Sequence, residues 1–441
     1  MLYGCKLKKY FILLSLVTLS CVVEAQVFIP FTYWGCNPKK AAAEDVTNAD
    51  FSAGTFSSTM TSGNSIMLSV GQVSGTFTSR VMDIYCGGLW NWAGAIWKST
   101  MPYEKELTST SETSAEYSGA SGSLMNNIFA YYNLNETVAN SATAGNDFAD
   151  RSGNGRHATE SNLGSYGVAG KFINAARLNG TSSRISPSSF GSTAKNYTFS
   201  FWFRTTASAN NLTYLFDTLD GANRLIIAAS CSSALCSAQG FMGICYGACA
   251  SLPSSTIAVP NDGNWHHLVV TLNTVTGNAT MFLNYVTTYT YTTYGAAGYN
   301  LNAANVRIGS RYGGDNWFFN GDIDEVAVWE RVLTNAEILA LYRRGANRLR
   351  LQFRSCTSST CADNPIWKGP DGTAATFFSE LYNNSVQAAR TGNALYTNID
   401  LNFANFGSLG LPANRYFQYS ATLQTDNVTY SPDMTYIRLS R

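Results

Sequence analysis

Short runs of alternating apolar and polar residues dominate the chain. SIMLSV (65–70), GTFTSRVMDI (75–84), FSFWFRT (199–205), LVVTLN (268–273) and YIRLS (436–440) are rich in β-branched and aromatic residues, and Gly, Asn and Ser clusters separate them. A period of two with such punctuation predicts strands, and many short strands predict sandwiches. One stretch, FFNGDIDEVAVWERVLTNAEILALY (318–342), goes further. Its strand alternates Ile323, Glu325 and Ala327 against Asp324, Val326 and Val328, then enters a helix predicted over 334–344. There Thr334 is the N-cap with Glu337 three positions on, a capping box, and Ile338, Leu341 and Tyr342 form the apolar stripe. Residues 108–124, TSTSETSAEYSGASGSL, hold almost nothing to bury and read as a linker.

Four more pieces precede that stretch in order: DRSGNGRHAT (150–159), ARLNGTSSRI (176–185), YTFSFWFRT (197–205) and NWHHLVVTLN (264–273). Together the five resemble a laminin-G-like, concanavalin A-type jelly roll of the bacterial secreted kind. The resemblance implies a recognition module and not an enzyme. The flanks, GTFTSRVMDIYCGGLWNWAGAIWKSTMPYEKEL (75–107) before it and NRLRLQFRSC, IWKGPDGT and NRYFQYSATLQTDNVTYSPDMTYIRL after it, have too few strands apiece for separate cores. Joined, they resemble one further sandwich of the galactose-binding-like or fibronectin-like sort. The expected fold is all-β: a concanavalin A-like jelly roll nested in a second sandwich, with one short helix. Insertion at an exposed loop is tolerated when the inserted domain's ends lie close together. The expected divisions are a signal peptide (1–25), an N-terminal segment (26–49), the first host part (50–107), a linker (108–127), the jelly roll (128–345) and the second host part (346–441).

Composition narrows the setting. Charged residues make up only 13% of the 441, so Ser, Thr, Asn, Gly and Tyr must cover the surface. A net charge of +1 gives no overall field to draw nucleic acid or an anionic membrane. Lys6, Lys8 and Lys9 precede an apolar run from Phe11 to Leu19 that is too short to span a bilayer, and Val23-Glu24-Ala25 offers a cleavage site before Gln26. The chain therefore reads as exported, secreted or held at the cell surface. A lipid anchor through Cys21 is the alternative, against which the poor lipobox Thr18-Leu19-Ser20 counts. Ten cysteines less Cys5 and Cys21 leave eight, an even number that favours disulfides in an exported chain. Cys356 and Cys361 flank a short polar loop and are expected to pair. Nested pairing (Cys236 with Cys245, Cys231 with Cys249) fits the symmetry of that cluster, with adjacent pairing the alternative and zinc disfavoured. Cys36 and Cys86 remain.

Candidate chemistry is sparse. Asp150 opens a turn whose Gly153, Asn154 and Gly155 tolerate left-handed backbone. By itself that is an Asx-type turn. The resemblance adds calcium, with Asp150 and Asp324 as candidate ligands and Asn154 as a poorer one. His266 and His267 point to opposite faces of a strand and cannot chelate together. A glycosidase needs two carboxylates across the scissile bond, about 5–5.5 Å apart if retaining. Here Asp322 and Asp324 share a face by alternation but Val326 follows them, so a hydrolase is the weakest reading. Sugar recognition uses aromatic faces and planar polar groups. Two stretches offer them: Arg311, Tyr312, Asp315, Asn316 and Trp317 in one loop, and Tyr289 and Tyr291 on one strand face, for which cross-strand packing is the competing role. The expected function is non-catalytic binding of a glycan or cell-surface protein ligand, calcium-assisted in one version, with a structural component of a surface fibre or matrix as the alternative.

Overall fold

The computed structural model describes residues 44–83, 94–107, 124–142, 146–209, 211–220, 223–230, 240–247, 254–291, 301–303, 305–313, 317–380, 402–406 and 409–440. The segment expected to be a signal peptide, most of the expected linker, Cys36, Cys86, Cys231, Cys236, Cys249, Asp315 and Asn316 lie outside those residues.

Two antiparallel sheets face each other across the main core. The first has the order Ser165–Ala169, Asn174–Asn179, Asn320–Trp329, Asn196–Arg204, His266–Asn273, Asn278–Leu283, Thr287–Tyr291, with Ile128–Tyr132 also paired to Asn320–Trp329. The second runs Ser254–Ala258, Phe241–Gly247, Asn223–Ser230, Thr213–Asp220, Asn305–Ile308, Arg184–Pro187, Ala158–Ser161. Alternation sends Tyr197, Phe199, Phe201 and Phe203 inward from the first sheet, to meet Phe216, Ile227 and Ile308 of the second. The Phe199 and Phe216 rings lie 5.1 Å apart.

The first sheet is buried on its back as well, so its central strands carry almost unbroken burial rather than a half-exposed pattern. Helix Asn335–Ala346 covers part of that back: Leu333, Ile338 and Leu341 pack on Val269, Ala327 and Trp329. Its capping box forms as the sequence predicts, with Thr334 accepting from the Glu337 N–H and the Glu337 carboxylate accepting from the Thr334 N–H.

The alternation expected for Asn320–Trp329 is broken. Trp202 pairs with Asp324 but Ser200 pairs with Ala327, so two residues oppose one, and Glu325 takes φ 51°. This is a β-bulge, which flips every later side chain to the other face. Ile323 therefore joins Val326 and Val328 in the main core, while Ala327 and Trp329 face the helix. The alternating pattern of residues shows no insertion, so nothing in the sequence marks it.

Strands from either side of the jelly roll share further sheets. Ser74–Thr78 pairs with Tyr416–Thr425, which pairs with Asn347–Cys356. Gly94–Lys98 lies between Tyr436–Ser440 and Asn402–Asn405. A second core of Phe77, Trp97, Leu351, Phe353, Phe417, Tyr419 and Ile437 lies among them. A five-residue helix, Asn48–Ser52, capped by Thr47 and Asp50, adds Phe51 to this core, and Glu44–Asp45 pairs with Tyr436–Ser440. Sequence reading gave the 26–49 segment no role and missed this helix. Cys356 and Cys361 are disulfide-bonded, as their spacing suggests, and Cys245 is also in a disulfide.

The two cores meet through polar contacts. Residues 101–107 are all buried although Glu104, Lys105 and Glu106 are charged. Glu104 N–H donates to Arg344 O, Arg344 Nη2 donates to Glu106 O, and the Arg350 guanidinium holds the Glu104 carboxylate. Asp426 receives Lys171 at 2.6 Å and Arg348 at 2.7 Å.

Candidate functional site

On the second sheet the residues between the core positions point away from the core. Arg307, Asp217, Ile226 and Cys245 form one row across four neighbouring strands, because their pairing partners run in that order. The loop that leaves Asn305–Ile308 folds over this row and is tied down by backbone. Tyr312 N–H donates to Asp217 Oδ2 at 2.6 Å, Arg224 Nη2 donates to Tyr312 O at 2.8 Å, and Tyr214 N–H donates to Trp317 O at 3.1 Å. Arg224 also closes a two-pronged ion pair on Asp217, its Nε at 2.7 Å from Oδ1. Burial nevertheless pushes the Asp217 carboxyl up.

Two guanidinium–aromatic stacks stand on that base. Arg311 lies over the Trp317 ring at 4.4 Å, and Arg307 over the Tyr312 ring at 5.2 Å while donating to the Ser186 hydroxyl. Trp317 packs on the buried patch of Leu212, Tyr214, Ile226, Ala228 and Cys245, its ring 5.3 Å from that of Tyr214. Arg311 Nε is buried without a hydrogen-bond partner. The structure therefore brings together Arg311, Tyr312 and Trp317 of the expected ligand residues. It adds Arg307, Arg224, Asp217 and Tyr214, whose signal in the sequence was a charge set inside the apolar runs TYLFDTLD, NRLII and NVRI. Tyr289 and Tyr291 lie elsewhere, on the last strand of the first sheet, with rings 4.8 Å apart. Tyr291 is buried in the main core and Tyr289 packs against it, so neither ring joins the loop.

The side chains expected to hold calcium are each engaged by the backbone around them. Asp150 Oδ1 accepts from the Tyr131 and Ser152 N–H groups and Oδ2 from the Arg156 N–H, which makes it the closure of its turn. Asn154 donates its amide N–H to the Ile128 and Phe129 carbonyls. Asp324 Oδ2 accepts from the Lys171 and Phe172 N–H groups, and Oδ1 from Glu325 N–H. Asp150 and Asp324 thus share no partner, and no group of three His, Cys, Asp or Glu side chains among the described residues is placed to hold a metal. The donor set is committed to backbone, and no role for calcium is derived from it.

The carboxylates of Asn320–Trp329 have opposite environments. Asp322 sits between Arg177 and Arg204, its cross-strand neighbours on either side, with contacts of 2.6 and 2.7 Å. Burial pushes its carboxyl up, but the two arginines outweigh that and hold it below the usual range. Asp324 and Glu325 are buried with Glu106 nearby, and burial first, then the neighbouring carboxylates, push both well above the usual range. The bulge is the reason both face the same interior region. Glu325 Oε2 accepts from the Tyr131 hydroxyl at 2.7 Å, and Glu106 accepts from the Asn133 and Asn135 amides. His267, buried and 2.8 Å from Ser200 Oγ, is pushed down to about 3 by burial and stacks on Trp202 at 4.7 Å. His266 instead faces Asp262 and Asn284.

Part of this sandwich is also recognisable by its sequence. Residues 179–339 match the family model Laminin_G_3, described as the concanavalin A-like lectin/glucanases superfamily. No curated protein matches the chain. Among solved structures, the chain is similar to domain 4 of AbnA, a GH43 extracellular arabinanase from Geobacillus stearothermophilus in complex with arabinotriose (20% identity, 49% of this chain, 98% of that one, TM-score 0.39). It is also similar to the binding domain of botulinum neurotoxin serotype C1 (13% identity, 53% and 61% covered, TM-score 0.38). A third likeness is the binding domain of Paraclostridial Mosquitocidal Protein 1 (15% identity, 54% and 62% covered, TM-score 0.37).

Proposed function

We propose that the chain is an exported, non-catalytic recognition module that binds a glycan of the cell surface or its surroundings. One observation carries this reading: the Arg311–Tyr312–Trp317 loop, which sets two aromatic rings and two guanidinium groups on the outer face of the second sheet. Aromatic faces with a few planar polar groups are what sugar sites are made of, and the match of residues 179–339 to a lectin/glucanase family supports it. The non-catalytic part rests on the acids of Asn320–Trp329. Asp322 is locked by two arginines, and Asp324 and Glu325 are buried, so none offers a carboxylate to a scissile bond. The test is a screen of the mature chain against immobilised polysaccharides, with Trp317→Ala beside it. Saturable binding lost in the variant supports the reading. Binding untouched by the variant would move the ligand elsewhere, and a reducing-end product released from any polysaccharide would make the protein a hydrolase.

A further inference from the structure

We propose that the ligand is an acidic glycan, whose carboxylate or sulfate is gripped by Arg311 over Trp317 with Arg307 over Tyr312 beside it. The inference rests on the binding reading above and narrows it. A neutral sugar held by stacking needs an open aromatic face. The Trp317 ring is half-buried and offers only part of itself: the Arg311 guanidinium lies over it at 4.4 Å, the Tyr214 ring leans against it at 5.3 Å, and it packs on the patch of Leu212, Ile226 and Ala228. The loop therefore presents the cation and hides much of the indole.

The cation is also incompletely satisfied. Asp217 is the carboxylate at the base of the loop, and Arg224 and Tyr312 N–H already occupy both of its oxygens. Arg311 Nε is buried and makes no hydrogen bond. The side chain as a whole is only partly buried and forms no ion pair among the described residues, so an incoming oxyanion would meet its outer guanidinium N–H groups. Guanidinium groups accept carboxylate and sulfate oxygens two at a time, and stacking on a ring fixes the plane in which they do so. Arg307, stacked on the next ring and on the same sheet face as Asp217, adds a second cation. The chain as a whole carries only +1, so this grouping is local and owes nothing to a general basic surface.

The experiment is titration of the mature chain with polygalacturonate, dextran sulfate, unmodified dextran and poly-L-glutamate at two salt concentrations. The variants are Arg311→Gln, Arg311→Lys and Arg307→Gln, each with its thermal midpoint recorded. The expected result is binding of at least one acidic polysaccharide, weaker at high salt, weakened tenfold or more by Arg311→Gln and less by Arg311→Lys, at unchanged midpoint. Polygalacturonate against dextran sulfate separates a carboxylate from a sulfate ligand. Equal binding of dextran and dextran sulfate, or acidic binding that both glutamine variants retain, would overturn the acidic-glycan proposal and leave the glycan reading standing. Poly-L-glutamate bound as tightly as the polysaccharides would replace the sugar by an acidic peptide. If no polysaccharide binds, here or in the wider screen, both readings fall.

Discussion

Of the four cation–tryptophan stacks among the described residues, two sit in opposite settings. Lys171 lies over Trp202 at 4.6 Å and Arg311 over Trp317 at 4.4 Å. Around Trp202 the cation has a carboxylate partner and both ring faces are packed. Lys171 is paired with Asp426, His267 stacks on the indole and meets Ser200, and Tyr342 stacks beyond. Trp202 is 3% exposed, and Tyr430, from the turn after Tyr416–Thr425, packs on the same cluster. Around Trp317 the ring is only half-buried and Arg311 keeps an unanswered donor. A cation over an indole is architecture where an ion pair and packing complete it, and a candidate site where they do not.

The sharpest way to break that comparison is Trp202→Ala. Removing a fully packed indole from the junction between the two cores should lower stability by about 3–5 kcal/mol, read as the midpoint of denaturant unfolding. A loss under about 1 kcal/mol would mean the cluster is not holding the cores together. Asp322→Asn comes next. It leaves Arg177 and Arg204 facing a neutral amide, and because both arginines reach solvent the loss should be about 2 kcal/mol at neutral pH.

Asp322 and Glu325 also predict opposite pH dependences from one strand. The folded pKa of Asp322 is lowered, so its contribution is present above the ordinary aspartate value of 3.8 and is lost as pH falls through the folded value. The folded pKa of Glu325 is raised, so its contribution is whole below 4.5 and is lost as pH rises through the folded value. Glu325→Gln should therefore flatten the decline of the thermal midpoint from about pH 5 upward, a change on the order of 1 kcal/mol at neutral pH. A steeper decline in the variant would show that Glu325 is ionised in the folded protein.

Much of this architecture was legible in the residues. The pieces at 150–159, 176–185, 197–205, 264–273 and 318–342 carry the jelly roll, since strand alternation and the Thr334–Glu337 capping box are local rules that hold locally. The Cys356–Cys361 pair followed from spacing alone. What the sequence hid depends on distant partners. The bulge at Glu325 is a register event between two strands more than a hundred positions apart in the chain, and no residue type announces it. The burial of Glu104, Lys105 and Glu106 is intelligible only once Arg344, Arg350, Asn133 and Asn135 surround them. At the candidate site the loop residues were legible because loops with arginine and tryptophan are conspicuous. The Asp217–Arg224 pair beneath them was not, because two charges within apolar strands signal nothing until pairing places them side by side. Tyr289 and Tyr291 show the converse: alternation put them on one strand face, and packing then buried Tyr291 and part of Tyr289.

The most direct measurement pairs affinity with stability in Trp317→Ala. Titration with polygalacturonate and dextran sulfate, beside thermal unfolding of the same sample, separates site from scaffold. The account predicts binding reduced tenfold or more with stability lowered by no more than about 1–2 kcal/mol, as for a half-buried ring. Binding that survives in a folded Trp317→Ala protein would contradict it.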